Sequence, residues 1–262
     1  VQTLTAKHPF FDRSLALDRN FVTCNVFGFF IGIFLFSTMA LLPPVMQGVM
    51  GYSVFGAGLV MMPRGIGSFL AMFIVGRLVG RVDTRLILLA GLALCSLALL
   101  QMSHFSLTMD SRPFVVSGII QGLGIGLLFV PLSVTAFATL SPSMRAEGTS
   151  VYTLVRNMGS SVGISMMEAL DTRQVQVSHA DMSGALSPGN PAQSALIPQM
   201  GGPPGGSAAL AALNGQITAQ ATMVALVDVF RLMLLMTICV APLLLIMRKP
   251  KAAPASGEVV IE

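Results

Sequence analysis

Charged side chains are scarce in the long apolar runs of this sequence, and the few present limit its chemistry. Arg64 follows Pro63 in one run. Arg156 and Asn157 precede Gly159 and Gly163 in another, and Asp228 and Arg231 lie three residues apart in a third. A charge at bilayer depth costs at least about 2.5–3.5 kcal/mol on insertion scales, so each should face a protein interior or a wet cavity. Asp228 is the one Asp or Glu well inside such a run. Burial can raise the pKa of a carboxylate enough for it to take up and release a proton. Asp228 and Arg231 also share a helix face, so a local ion pair near the membrane edge accounts for them equally well. Arg156 shares a face with Gly159 and Gly163 and therefore points into a helix seam.

Covalent chemistry finds no support. Cys24, Cys95 and Cys239 fall inside apolar runs at spacings that match no metal or redox motif, and they read as small packing residues. His8, His104 and His179 lie outside the runs or at their ends. There is no zinc motif, phosphate-binding glycine loop or nucleophile elbow. GLGIG at 122–126 has the look of a dinucleotide loop, but it sits in mid-run with no strand before it. No cofactor, no metal and no enzymatic activity are expected.

The elements that must hold these residues are membrane helices. The chain has 262 residues, of which 54% are hydrophobic and 10% charged, and its mean hydropathy is +0.80. Soluble domains are about 25% charged. Six segments reach the roughly 20 residues that a hydrocarbon core requires. They are 22–42, 54–79, 86–104, 114–140, 150–170 and 223–247, and the fifth is the least hydrophobic. The second contains Pro63, Gly65 and Gly67, a composition that membrane helices tolerate and soluble helices do not. The polar first twenty residues do not resemble a cleavable signal peptide. The expected order is thus a lead-in segment 1–21, five spans within 22–173, a loop 174–222, a sixth span 223–247 and a tail 248–262.

With six spans both termini lie on one side. That side carries Lys7, Arg13, Arg19, Arg77, Arg81, Arg85, Arg145, Arg248, Lys249 and Lys251, against Arg112 and Arg173 on the other. The positive-inside rule puts both termini in the cytoplasm and the 174–222 loop outside it. That loop is Gly/Pro/Ala-rich. Gly201–Gly206 forbid a long helix, and 207–221 could form a short helix lying on the membrane face. The loop reads as a solvated linker or as a docking surface for a periplasmic partner. Basic residues scattered over short loops give no footprint for nucleic acid. Gly118, Gly122 and Gly126, and likewise Gly159 and Gly163, recur every four residues and let helix backbones approach closely. The 18 Met suit plastic packing or a promiscuous apolar site.

Five stretches carry a family resemblance. FFDRSLALDRNF (10–21), LLPPVMQGVMGYSVFGAGLVMMPRGIG (41–67), GRLVGRVDTR (76–85), QGLGIGLLFVP (121–131) and RNMGSSVG (156–163) occur in that order. Together they resemble the C-terminal half of a drug:proton antiporter of the major facilitator superfamily, in the fourteen-span branch typified by EmrB and QacA. In 76–85, Gly80 stands where that family has Asp, and Asp83 where it has Gly. No arginine precedes Gln121 in the fourth span, as expected for a second-half echo of the family's proton-linked motif.

The resemblance implies an all-α membrane protein whose six transmembrane helices form one half of a superfamily bundle, from pseudo-symmetric three-helix repeats. It implies proton-driven efflux of lipophilic or amphipathic drugs across the bacterial inner membrane, with the N-terminal half of the same transporter as partner. A periplasmic adaptor is implied by the Emr-type relatives. The expected substrate pathway is Met61, Arg64, Gln121, Tyr152, Arg156 and Asn157, with Asp228 and Arg231 as a proton or cation site. The gating loop is Gly76, Arg77, Arg81, Asp83 and Arg85, and Gln47 lies near the exit. Two other arrangements fit the same residues. One is a self-standing half transporter that dimerises and couples through Asp228. The other is a non-transporting scaffold that works through its long loop.

Overall fold

The computed structural model describes residues 15, 18–138, 140–185 and 207–246. The described residues are helical, with six long helices. These are α1 (Arg19–Gly48), α2 (Val54–Leu78), α3 (Thr84–Met102), α4 (Arg112–Ala138), α5 (Arg145–Ala185) and α6 (Ser207–Val240). A short 3-10 turn, Pro142–Met144, precedes α5, and a helical turn, Leu243–Ile246, follows α6.

Local chemistry sets the helix starts. The Asp18 carboxylate accepts from the Asn20 and Phe21 amides at 2.9 and 3.1 Å, capping α1. The Ser53 hydroxyl accepts from the Gly56 amide at 3.0 Å and caps α2. Between α2 and α3 the chain turns through Gly80 at φ +90°, a left-handed conformation that side chains disfavour. This explains why glycine stands at the position where the resembled family carries an Asp.

Five helices are long and apolar enough to cross a membrane: α1 to α4, and Ala211–Val240 of α6. The fifth expected span, 150–170, lies within α5, which is not among them. Arg156, Asn157, Glu168, Asp171 and Arg173 lower its hydropathy. It is nevertheless integral to the bundle, since its main partners are α1 and α6.

Two helices outrun the expected spans. Residues 174–185 continue α5 and residues 207–222 begin α6, so both flanks of the expected loop are helical. The Ala-rich stretch is the first part of α6 and not a separate surface helix, because strong helix formers run without a break into the apolar segment. The two extensions meet where the His179 ring Nε2 hydrogen-bonds the Asn214 Oδ1 at 3.0 Å. The Gly201–Gly206 cluster, most of the lead-in 1–21 and the tail 248–262 lie outside the described residues.

The packing order is that of two interlocked three-helix units. The helix α2 packs on α4, the first helix of the second unit, and α5 packs on α1, the first helix of the first. Two buried clusters fill the bundle. One contains Phe27, Leu88, Leu128, Leu132 and Tyr152, and the other Met46, Leu99, Met102, Met167 and Phe230. The helix α2 is built differently. Its buried positions are Ala57, Arg64, Gly67, Ala71 and Val75, while Phe55, Leu59, Met62, Phe69 and Phe73 are exposed. Small residues face the bundle and large apolar ones face outward, the pattern of a surface made for lipid or another apolar partner.

Candidate functional site: a methionine-walled cavity around Arg64

The α2–α4 contact brings Arg64 inward. Its backbone carbonyl lies directly against Gly122 of α4, where a Cβ would collide with it. Gly118, one turn away, faces the Arg64 side chain at ordinary contact distance. The side chain is 9% exposed, and its Nη2 donates to the Leu35 carbonyl of α1 at 3.3 Å.

Arg64 borders a cavity of about 510 Å3 between α1, α2 and α4. Met39, Met61, Met62, Met72, Ile125 and Phe129 supply most of its apolar wall. On the inner side of Arg64 lies a second, very small space of about 10 Å3, shared with Met61, Gly118 and Gln121. Gln121 is 2% exposed, and its amide nitrogen donates to the Thr38 hydroxyl at 3.2 Å. The Thr38 hydroxyl in turn donates to the Phe34 carbonyl at 2.7 Å. The Gln121 carboxamide oxygen has no hydrogen-bond partner among the described residues. Met61, Arg64 and Gln121 are thus brought together.

The other expected pathway residues divide. Arg156 does not line the cavity, but its guanidinium carbon is 5.2 Å from the centre of the Phe129 ring, within cation–π range. Its Nε is buried without a partner among the described residues. Tyr152 is 4% exposed and sits in the packing core, edge-on to Phe137 at 5.9 Å and against Gly28, away from the cavity wall. Asn157 is exposed.

Asp228 and Arg231 form an ion pair at 3.3 Å, with side chains 36% and 60% exposed. The Gln174 amide donates to the second Asp228 oxygen at 3.1 Å. Neither residue lines the Arg64 cavity. In the 76–85 loop, Arg77 stacks on Phe73 at 3.9 Å, and Arg81 is exposed. Gly76 lies in the last turn of α2, Asp83 immediately precedes α3, and Arg85 lies in the first turn of α3.

Sequence reasoning expected three-helix repeats but overlooked the motifs that mark them. Arg64-x-x-Gly67-Ser68 on α2 matches Arg156-x-x-Gly159-Ser160 on α5, and Gly28-x-x-x-Gly32 on α1 matches Gly118-x-x-x-Gly122 on α4. The structure pairs them alike. The Arg156 carbonyl lies against Gly32 as the Arg64 carbonyl lies against Gly122. Gly159 meets the Phe29 carbonyl as Gly67 meets that of Ile119. Arg64 and Arg156 therefore occupy equivalent positions in the two three-helix units. The matching spacings were readable; their meaning needed the helix pairing.

Asp171 was also overlooked. It lies one residue past the expected fifth span, in a space of about 300 Å3 with Pro44, Val49, Glu168 and Thr222. Burial, and then the nearby Glu168, push its carboxyl up to about 6.

Residues 3–164 match the model of the Major Facilitator Superfamily. The chain is 26% identical over 263 residues to "Probable multidrug resistance protein EmrY" of Escherichia coli (strain K12), covering 97% of this chain and 50% of that protein. It is 31% identical over 170 residues to the "Multidrug resistance protein B homolog" of Mycobacterium tuberculosis (strain ATCC 25618 / H37Rv), covering 64% of this chain and 32% of the relative. Similarity to the "Fatty acid resistance protein FarB" of Neisseria gonorrhoeae is 28% over 189 residues, 72% of this chain and 37% of the relative. The chain thus spans half or less of the length of these relatives. Among solved structures, a bacterial homolog to the human lysosomal transporter Spinster, inward-facing and occupied, superposes with a TM-score of 0.64. That likeness is 18% identical and covers 92% of this chain and 52% of that one, and it establishes the fold.

Proposed function

As this chain belongs to the major facilitator superfamily, a family of multi-pass membrane transporters and not of enzymes, we propose that it is half of a multidrug exporter. The half is the C-terminal one, and the substrates are lipophilic or amphipathic compounds. The observation that carries this reading is the Met-walled cavity of about 510 Å3 with a buried arginine in its wall. An apolar, plastic wall accepts many shapes, while a fixed charge orients what enters. The colinear similarity to EmrY over 97% of the chain supports the same reading.

Export is driven by proton entry. Asp228 is 36% exposed and already paired with Arg231 and Gln174, which argues against it as the coupling carboxylate. The exposed apolar face of α2 suits that half or lipid. The basic residues in the loops support an orientation with both termini in the cytoplasm of an inner-membrane protein, and the Gly/Pro-rich loop would then face a periplasmic adaptor.

Expression of the full-length gene product in a bacterial strain stripped of its own exporters tests the reading. Steady-state accumulation should fall for part of a panel of anionic, neutral and cationic lipophilic dyes. Unchanged accumulation across the whole panel, with the protein present in the membrane, would overturn it.

A further inference from the structure

We propose that the cavity around Arg64 is a head-group site for lipophilic anions, in which the Arg64 guanidinium anchors the charge and the methionine wall beds the apolar tail. The proposal rests on the exporter reading and names its substrate class.

Arg64 is the one ionisable residue among those lining the cavity. A guanidinium offers five donors in a planar fork. Among the described residues one is engaged, by the Leu35 carbonyl at 3.3 Å. The Asp228–Arg231 ion pair lies elsewhere. A buried cation without a counter-charge is costly, and a ligand anion relieves that cost as it binds. Sulfonate and carboxylate oxygens match the fork in a bidentate manner.

The second arginine reinforces the sign of the site. Arg156, the repeat-equivalent of Arg64, places its guanidinium over Phe129, whose ring is part of the cavity wall. A second positive charge thus lies against a ring of the cavity wall. A lipophilic cation would meet like charge with no carboxylate on the wall to balance it. Met39, Met61, Met62 and Met72 offer flexible, polarizable contacts that set few demands on tail shape.

Three probes with one tail separate head charge from lipophilicity: decane-1-sulfonate, decan-1-ol and decyltrimethylammonium. Their binding is measured by equilibrium dialysis against the full-length gene product in nanodiscs. The sulfonate should bind most tightly and the ammonium most weakly. Arg64→Gln should weaken sulfonate binding by about tenfold to a hundredfold and leave decanol unchanged, as expected for loss of a charge-assisted contact. Arg64→Lys should retain the preference for the sulfonate in reduced form. Met62→Asp, on the exposed rim, should selectively weaken the sulfonate and gives a second variant that leaves the helix contacts of Arg64 untouched. A preference for the ammonium, or a sulfonate preference that survives both Arg64→Gln and Met62→Asp, would overturn the proposal. Flux of the same probes in proteoliposomes separates this claim from the exporter reading. Arg64-dependent sulfonate binding without flux of any probe would keep the site and sink the exporter. Flux of the ammonium alone would keep the exporter and sink the site.

Discussion

Gly122 of α4 lies so close to the backbone carbonyl of Arg64 on α2 that no Cβ fits between them. The contact fixes the depth of Arg64 in the bundle and hence the position of its guanidinium. Gly122→Ala should therefore cost about 1–3 kcal/mol through overpacking. Gly118→Ala is the matched control, since its added Cβ would meet the Arg64 Cβ at an ordinary 3.7 Å. Thermal unfolding in detergent should show a clear fall in Tm for Gly122→Ala and little change for Gly118→Ala. Equal effects would mean that the α2–α4 seam does not depend on this approach.

The Gln121 amide leans on one hydroxyl. Thr38→Val keeps the shape of the side chain and removes the acceptor held at 3.2 Å. A buried polar group left unpaired costs about 1–3 kcal/mol. Thr38→Val alone should lower stability by that order, and adding Gln121→Leu should recover part of the loss. A purely additive double variant would contradict the coupling.

Asp228 and Arg231 behave as an exposed ion pair. Such pairs are worth about 0–1 kcal/mol. Asp228→Asn should leave Tm almost unchanged and should leave proton-linked efflux intact, because the pair lies outside the cavity. Loss of proton-linked efflux with normal folding would instead favour a chain that couples through Asp228.

Asp171 gives a stability signal with a defined sign. Its carboxyl is raised from 3.8 to about 6, by burial first and by Glu168 second. A carboxyl with a raised folded pKa lowers stability progressively as pH rises from the unfolded value of 3.8, where only the unfolded chain ionises, and the penalty is complete above about 6. Below its unfolded value it is neutral in both states and the penalty vanishes. Asp171→Asn should therefore raise Tm at pH 7.5, with the gain shrinking towards zero as pH falls to about 4. A gain that is the same at both pH values would contradict a buried titrating carboxyl.

The membrane helices were legible because 20-residue apolar runs leave few other options: α2 to α4 begin and end close to the expected spans, while α1 runs on past its span to Gly48. Charge at depth likewise pointed to Arg64, and the fold brings Gln121 and Met61 beside it. The helix ends near 185 and 207 were not legible, since Gly/Pro-rich sequence nearby was allowed to dominate good helix formers on either side. Tyr152 was expected in the substrate pathway along with Arg156 and Asn157 of the same stretch. Its ring instead fills the notch left by Gly28, a pairing between α1 and α5 that sequence spacing does not disclose. Asp171 escaped notice because its burial depends on Pro44, Val49 and Thr222, which come from other helices.

The central claim is that this chain is part of a proton-driven exporter of lipophilic compounds. The most direct test reconstitutes the full-length gene product in proteoliposomes with a pH-sensitive dye inside and an imposed pH gradient. Addition of a transported lipophile should release protons down the gradient as the compound moves against its own, and both movements should stop when nigericin collapses the gradient. Movement of the compound that ignores the gradient, or no substrate-linked proton flux at all, would contradict the account.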